Sequence, residues 1–193
     1  MKILKRVAVL ILFVLCFFIG LLNSGLRLFD NDSNGEYVQT STIKGIEIYE
    51  KDANEKNMGL YMNNLVLIPD ELLENCSRIY FADENLNDKF DLGFTTVVAA
   101  VSIEDEIYVD TSYFEYGVLV HEMYHVFDYA NGWITEKEDF KRIYNIYKDI
   151  VEVSPGNREN VYEFFASYGE MFTLEREALE RNEIFAFFSG LGL

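Results

Sequence analysis

The chain has 193 residues, with 16 Lys+Arg against 33 Asp+Glu and half of its residues apolar. That length suits one ordinary domain with an appendage rather than two full domains, and an aromatic content of 16% excludes a disordered or low-complexity chain, because so many rings can fill a core. A formal net charge of −17 repels phosphate backbones and argues against nucleic-acid binding, while two cysteines cannot build a disulfide framework.

At the start of the chain, Lys2, Lys5 and Arg6 precede 16 uncharged residues, Val7 to Leu22, and the small, polar Asn23-Ser24-Gly25 follows. A positive start, an apolar run and a small-residue zone are the layout of an export signal. Counted a little further, residues 7–22 come close to the roughly 17–25 that a membrane-spanning helix needs. Residues 1–25 are therefore expected to be a cleaved signal peptide or a retained membrane anchor. Either way the remainder works outside the cytoplasm, secreted or tethered. Cys76 then has no partner and reads as a small buried hydrophobe. Scarcity of thiols is what an exported chain would show.

Residues 26–40 include Asp30-Asn31-Asp32-Ser33-Asn34-Gly35-Glu36, polar and turn-rich, and read as a linker ahead of a domain at 41–193. Ile46–Tyr49 alternates and predicts a strand, Pro69-Asp70-Glu71 can open a short helix, and Arg78–Phe81 predicts a second strand. Thr95–Ser102 and Glu106–Asp110 read as a hairpin pair. From there the pattern turns helical. Tyr113–Asn131 predicts one helix stopped at Asn131-Gly132, Glu136–Val151 a second, Arg158–Phe172 a third and Leu174–Phe188 a fourth. Strands first and helices afterwards make the chain α+β, a small N-terminal sheet followed by a set of helices.

The first of these helical segments carries the chemistry: His121-Glu122-Met123-Tyr124-His125. Residues four apart share one helix face, so both imidazoles can reach one ion. Glu122 lies off that line and can instead accept a proton from water, because zinc lowers the pKa of water toward 7 and a carboxylate then suffices as acceptor. These are the chain's two histidines. Two histidines placed at random sit four apart in roughly 1% of cases, and a glutamate follows the first about one time in ten. The competing reading is a pair of histidines satisfied by hydrogen bonds inside a core helix, since Leu119, Val120, Met123, Tyr124, Val126 and Phe127 make this segment apolar over most of its circumference. A catalytic zinc needs a third protein ligand and an open fourth position, and without a third histidine that ligand must be a carboxylate. Glu163, off the apolar stripe of Val161, Phe164, Phe165, Tyr168 and Phe172, is the foremost candidate. Helical periodicity alone favours an exposed glutamate there, and Glu159 and Glu170 compete for the role.

With His121–Asp128 followed by Glu163-Phe164-Phe165-Ala166, the stretch from about Thr95 to Phe172 resembles the catalytic domain of the anthrax toxin lethal factor family, which includes the Pro-Pro endopeptidases. The resemblance implies a zincin-like fold and a zinc metalloendopeptidase acting on a peptide or protein substrate. His121, His125 and Glu163 would be the metal ligands and Glu122 the general base. Asp128 would hydrogen-bond a ligand imidazole. It also implies a tyrosine seven residues before the third ligand, to stabilise the oxyanion. That position is Gly156, and neither Tyr144, Tyr147 nor Tyr162 has the spacing, so the oxyanion donor is unknown. Losing one such donor typically costs about a hundred- to a thousand-fold in turnover. A catalytically silent domain of the same fold, acting as a binding module, is the alternative.

Overall fold

A computed structural model describes residues 36–93 and 97–193. The expected signal or anchor at 1–25, and the linker as far as residue 35, lie outside the described residues. The chain is α+β. It begins with two antiparallel strands, β1 (Val38–Ile43) and β2 (Ile46–Lys51), so the sheet starts three residues ahead of the expected domain start at Ser41. Helices α1 (Glu55–Asn64) and α2 (Asp70–Leu73) lead to β3 (Arg78–Ala82). A short α3 (Leu86–Phe90) precedes the hairpin of β4 (Ala100–Ile103) and β5 (Glu106–Asp110). The strands make one mixed sheet in the order β1-β2-β3-β5-β4, with β2, β3 and β5 parallel and β4 antiparallel at one edge.

Period-two alternation sets which face of this sheet is buried. Ile46 and Ile48, Ile79 and Phe81, and Ile107 and Val109 point to one side and are buried in the core. The other face is closed by side chains in register. Arg78 donates to Glu47 at 3.1 Å and to Glu106 at 2.7 Å. Beside that row, Tyr80 stacks between Tyr49 and Tyr108, with ring centroids 5.0 and 4.6 Å apart.

Five helices of at least five residues follow the hairpin: α4 (Val118–Ala130), α5 (Glu138–Tyr147), α6 (Pro155–Glu159), α7 (Val161–Leu174) and α8 (Glu183–Ser189). Helix α4 is apolar almost all round because it lies between two layers. One side meets the sheet and α1 and α2, and the other meets α7. Beyond it, Phe140 of α5, Phe165 of α7 and Phe188 of α8 form an aromatic second layer. Among the described residues no helix is long and apolar enough to cross a membrane.

Several element boundaries differ from the sequence reading. The expected helix from Tyr113 starts only at Val118, because residues 111–117 are tied down otherwise. Asp110 accepts from the Ser112 amide at 2.8 Å, the Tyr61 hydroxyl accepts from the Glu115 amide at 3.1 Å, and Gly117 adopts a left-handed φ of 89°. The expected third helix is divided at Asn160, whose extended backbone ends α6 and whose side chain caps α7 by accepting from the Tyr162 amide at 3.0 Å. Of the expected strand over Thr95–Ser102, the described part is strand only from Ala100.

A candidate metal centre between two crossing helices

Two local features bring the site together. In α4, intrahelical bonding begins with the His121 amide donating to Gly117 at 3.0 Å, which sets His121 and His125 on successive turns of one face. In α7, the Asn160 cap places Glu163 in the first turn, where the positive end of the helix favours a carboxylate. The two helices can cross closely because α7 carries Gly169 at the contact. A Cβ there would overlap the ring of Tyr124, which is fully buried.

At the crossing, three side chains converge. His121 Nε2 lies 3.2 Å from His125 Nε2 and 3.2 Å from Glu163 Oε2, and His125 Nε2 lies 3.6 Å from Glu163 Oε1. A tetrahedral ion whose ligand atoms stand about 2.0–2.1 Å away spaces those atoms about 3.3 Å apart. The separations lie near that spacing, with the two imidazoles facing different oxygens of the Glu163 carboxylate, and the group could hold a metal ion. Two imidazoles and one carboxylate also leave a fourth position open. Of the three acids weighed as partners, Glu163 is the one brought to both Nε2 atoms. Glu170 stands instead behind the His121 ring, with Oε2 3.5 Å from Nδ1.

Without a metal, the acids hold a proton on His121. Burial pulls its pKa down, but the Glu163 and Glu170 carboxylates more than reverse this and push it up to about 10. Burial conversely raises the Glu163 carboxyl, and the two imidazoles outweigh that and hold it well below the usual carboxylate range. Glu122, next to His121 and 7% exposed, makes no hydrogen bond to another described residue, so its carboxylate is not committed elsewhere.

Asp128 is 1% exposed, three residues past His125. Its two oxygens accept from the Thr135 amide at 2.9 Å and the Thr135 hydroxyl at 2.6 Å. Burial raises its pKa, while Thr135 and the charge of His125 act to lower it. Asp128 thus ties the end of α4 to the following turn and contributes charge near His125.

The tyrosines close in sequence to Gly156 have other partners. Tyr144 donates to the Arg158 carbonyl at 2.9 Å, Tyr147 accepts from the Glu183 amide at 3.3 Å, and Tyr162 donates to Glu136. Edge strand β4 packs along α4 with its outer side unpaired by any described strand. From the sequence Glu170 was weighed only as a rival third ligand and not for a place behind the His121 ring, and the glycine that permits the crossing was not singled out. The seven-residue spacing from Glu163 to Glu170, two helical turns, is the signal that puts both on one face of α7. Compared with known proteins, the chain matches no family model and no curated sequence.

Proposed function

We propose that the chain is a zincin-type, zinc-dependent metalloendopeptidase that cleaves peptide or protein substrates outside the cytoplasm, either secreted or held by residues 7–22. The observation that carries this reading is the triangle of His121 Nε2, His125 Nε2 and a Glu163 carboxylate oxygen beside a buried Glu122. A zinc ion held there supplies Lewis acidity to a substrate carbonyl and acidifies water. Glu122 takes the proton from the attacking water and later returns it to the leaving amine. His121, His125 and Glu163 fix the site on two rigid helices rather than on loops. Edge strand β4, its outer side unpaired by any described strand, offers backbone groups to an extended substrate, which binds by adding a strand. A peptide-library digest with and without a chelator tests this directly. Chelator-sensitive cleavage that disappears in Glu122→Gln, with zinc retained, supports the reading, whereas cleavage at the native rate by that variant removes Glu122 from the role of base.

The position of Gly156 favours one second reading, a domain of the same architecture that keeps its metal without turning over substrate. Tyr144 and Tyr162 donate to other partners and the Tyr147 hydroxyl is held at the Glu183 amide, so none of the three is an evident oxyanion donor. Zinc uptake without any cleavage across the library is the outcome that selects it.

A further inference from the structure

We propose that Glu170 is a positioning residue, accepting a hydrogen bond from His121 Nδ1 so that Nε2 is left with its lone pair facing His125 and Glu163. This rests on the metal-centre reading above and adds a residue to it. A neutral imidazole carries its proton on one nitrogen only, and whichever nitrogen is to bind a metal must be the bare one. His121 Nε2 is the atom that lies 3.2 Å from both His125 and Glu163, so the proton has to reside on Nδ1. The carboxylate facing Nδ1 is that of Glu170, at 3.5 Å.

Three further features place Glu170 there. It follows Glu163 by two helical turns, so both acids project from one face of α7 toward α4 and bracket the His121 ring. Its carboxylate lies against Gly117, where a Cβ would overlap it, and Gly117 combines that close approach with a left-handed φ of 89°. The N-terminus of α4 has neither a side-chain cap nor an acidic residue in its first turn, so an anion supplied by α7 meets the positive end of the helix. Asp128, expected from the sequence to hydrogen-bond a ligand imidazole, accepts instead from Thr135 at both of its oxygens, which leaves Glu170 as the carboxylate facing Nδ1.

Zinc affinity of the full chain, measured by competition with a chromophoric chelator, tests the assignment. Glu170→Leu keeps the bulk and removes both acceptors, and is expected to bind zinc about 10- to 100-fold more weakly than wild type. Glu170→Gln keeps an acceptor for the Nδ1 proton and is expected to lose less than about tenfold. A Glu170→Leu affinity within about threefold of wild type overturns the proposal, as does a Gln variant as weak as the Leu one. Should the Leu variant not fold, nitrogen-resolved NMR of the zinc-loaded wild type decides. A slowly exchanging, downfield Nδ1 proton on His121 that shifts in Glu170→Gln supports the assignment, and its absence overturns it. Failure of the wild type to take up zinc overturns the metal-centre reading itself, and this assignment with it.

Discussion

Replacing Gly169 with alanine probes how the packing of α4 against α7 sets the metal centre. The new methyl falls within the Tyr124 ring, and carbon atoms need about 3.5–4.0 Å of separation, so α4 and α7 must move apart or Tyr124 must leave its place. Overpacking of this kind costs about 1–3 kcal/mol, and the better helix propensity of alanine returns about 0.5–1. The net loss of up to about 2.5 kcal/mol lowers the unfolding midpoint of a domain this size by up to roughly 10 °C. The same separation carries Glu163 away from His121 and His125, whose ligand atoms now stand 3.2–3.6 Å apart. Zinc affinity is therefore expected to fall along with stability. Circular dichroism melts and chelator competition read the two effects. Adding Tyr124→Leu to Gly169→Ala is expected to recover part of the loss, because the ring that the methyl meets is gone. An alanine variant that melts at or above the wild-type temperature and binds zinc equally well refutes the reasoning.

Two other outcomes follow from the buried charges. In the chelator-treated protein, His121 has a folded pKa raised to about 10 from an ordinary 6.5. Its contribution to stability is thus fully present below about 6.5 and is lost as pH rises through about 10. Glu163, whose folded pKa is depressed, contributes above its ordinary 4.5 and loses that contribution as pH falls through its lower folded value. Thermal midpoints of the metal-free chain should therefore decline from pH 6.5 to 10, and a flat profile over that window contradicts the pairing. Thr135→Val removes one of the two groups donating to the buried Asp128 carboxylate and is expected to cost about 1–3 kcal/mol, read by denaturant unfolding. An unchanged midpoint would show that Asp128 does not depend on that hydroxyl.

What could be read in the sequence follows the range of the interactions involved. Strands β2, β3 and β5 were legible because each alternates apolar residues toward a single buried face, Ile46 and Ile48 being the plainest case. Strand β1 was not, since nearly all of its residues are exposed and no alternation results. Helix α1, with Gly59 in its middle and polar residues at both ends, shows only a weak apolar stripe, and its start depends on the Asn54 cap. Helix α4 was over-extended because residues 113–116 are apolar enough to continue the pattern, while the contacts that hold them off the helix come from Tyr61 on α1.

The site divides along the same line. His121, Glu122 and His125 are neighbours on one helix, so spacing alone places them. Glu163 was one of three acids open to the role on helical grounds, because its meeting with the histidines depends on how α4 crosses α7. That crossing depends in turn on Gly169, a residue whose importance lies in what it lacks.

The most direct measurement of the central claim is a zinc titration of the purified protein beside its Glu163→Ala variant, with circular dichroism confirming that both are folded. One tightly held equivalent in the wild type, lost or weakened by orders of magnitude in the variant, is the expected result. Tight binding that survives the removal of Glu163, or a folded wild type that takes up no zinc, contradicts it.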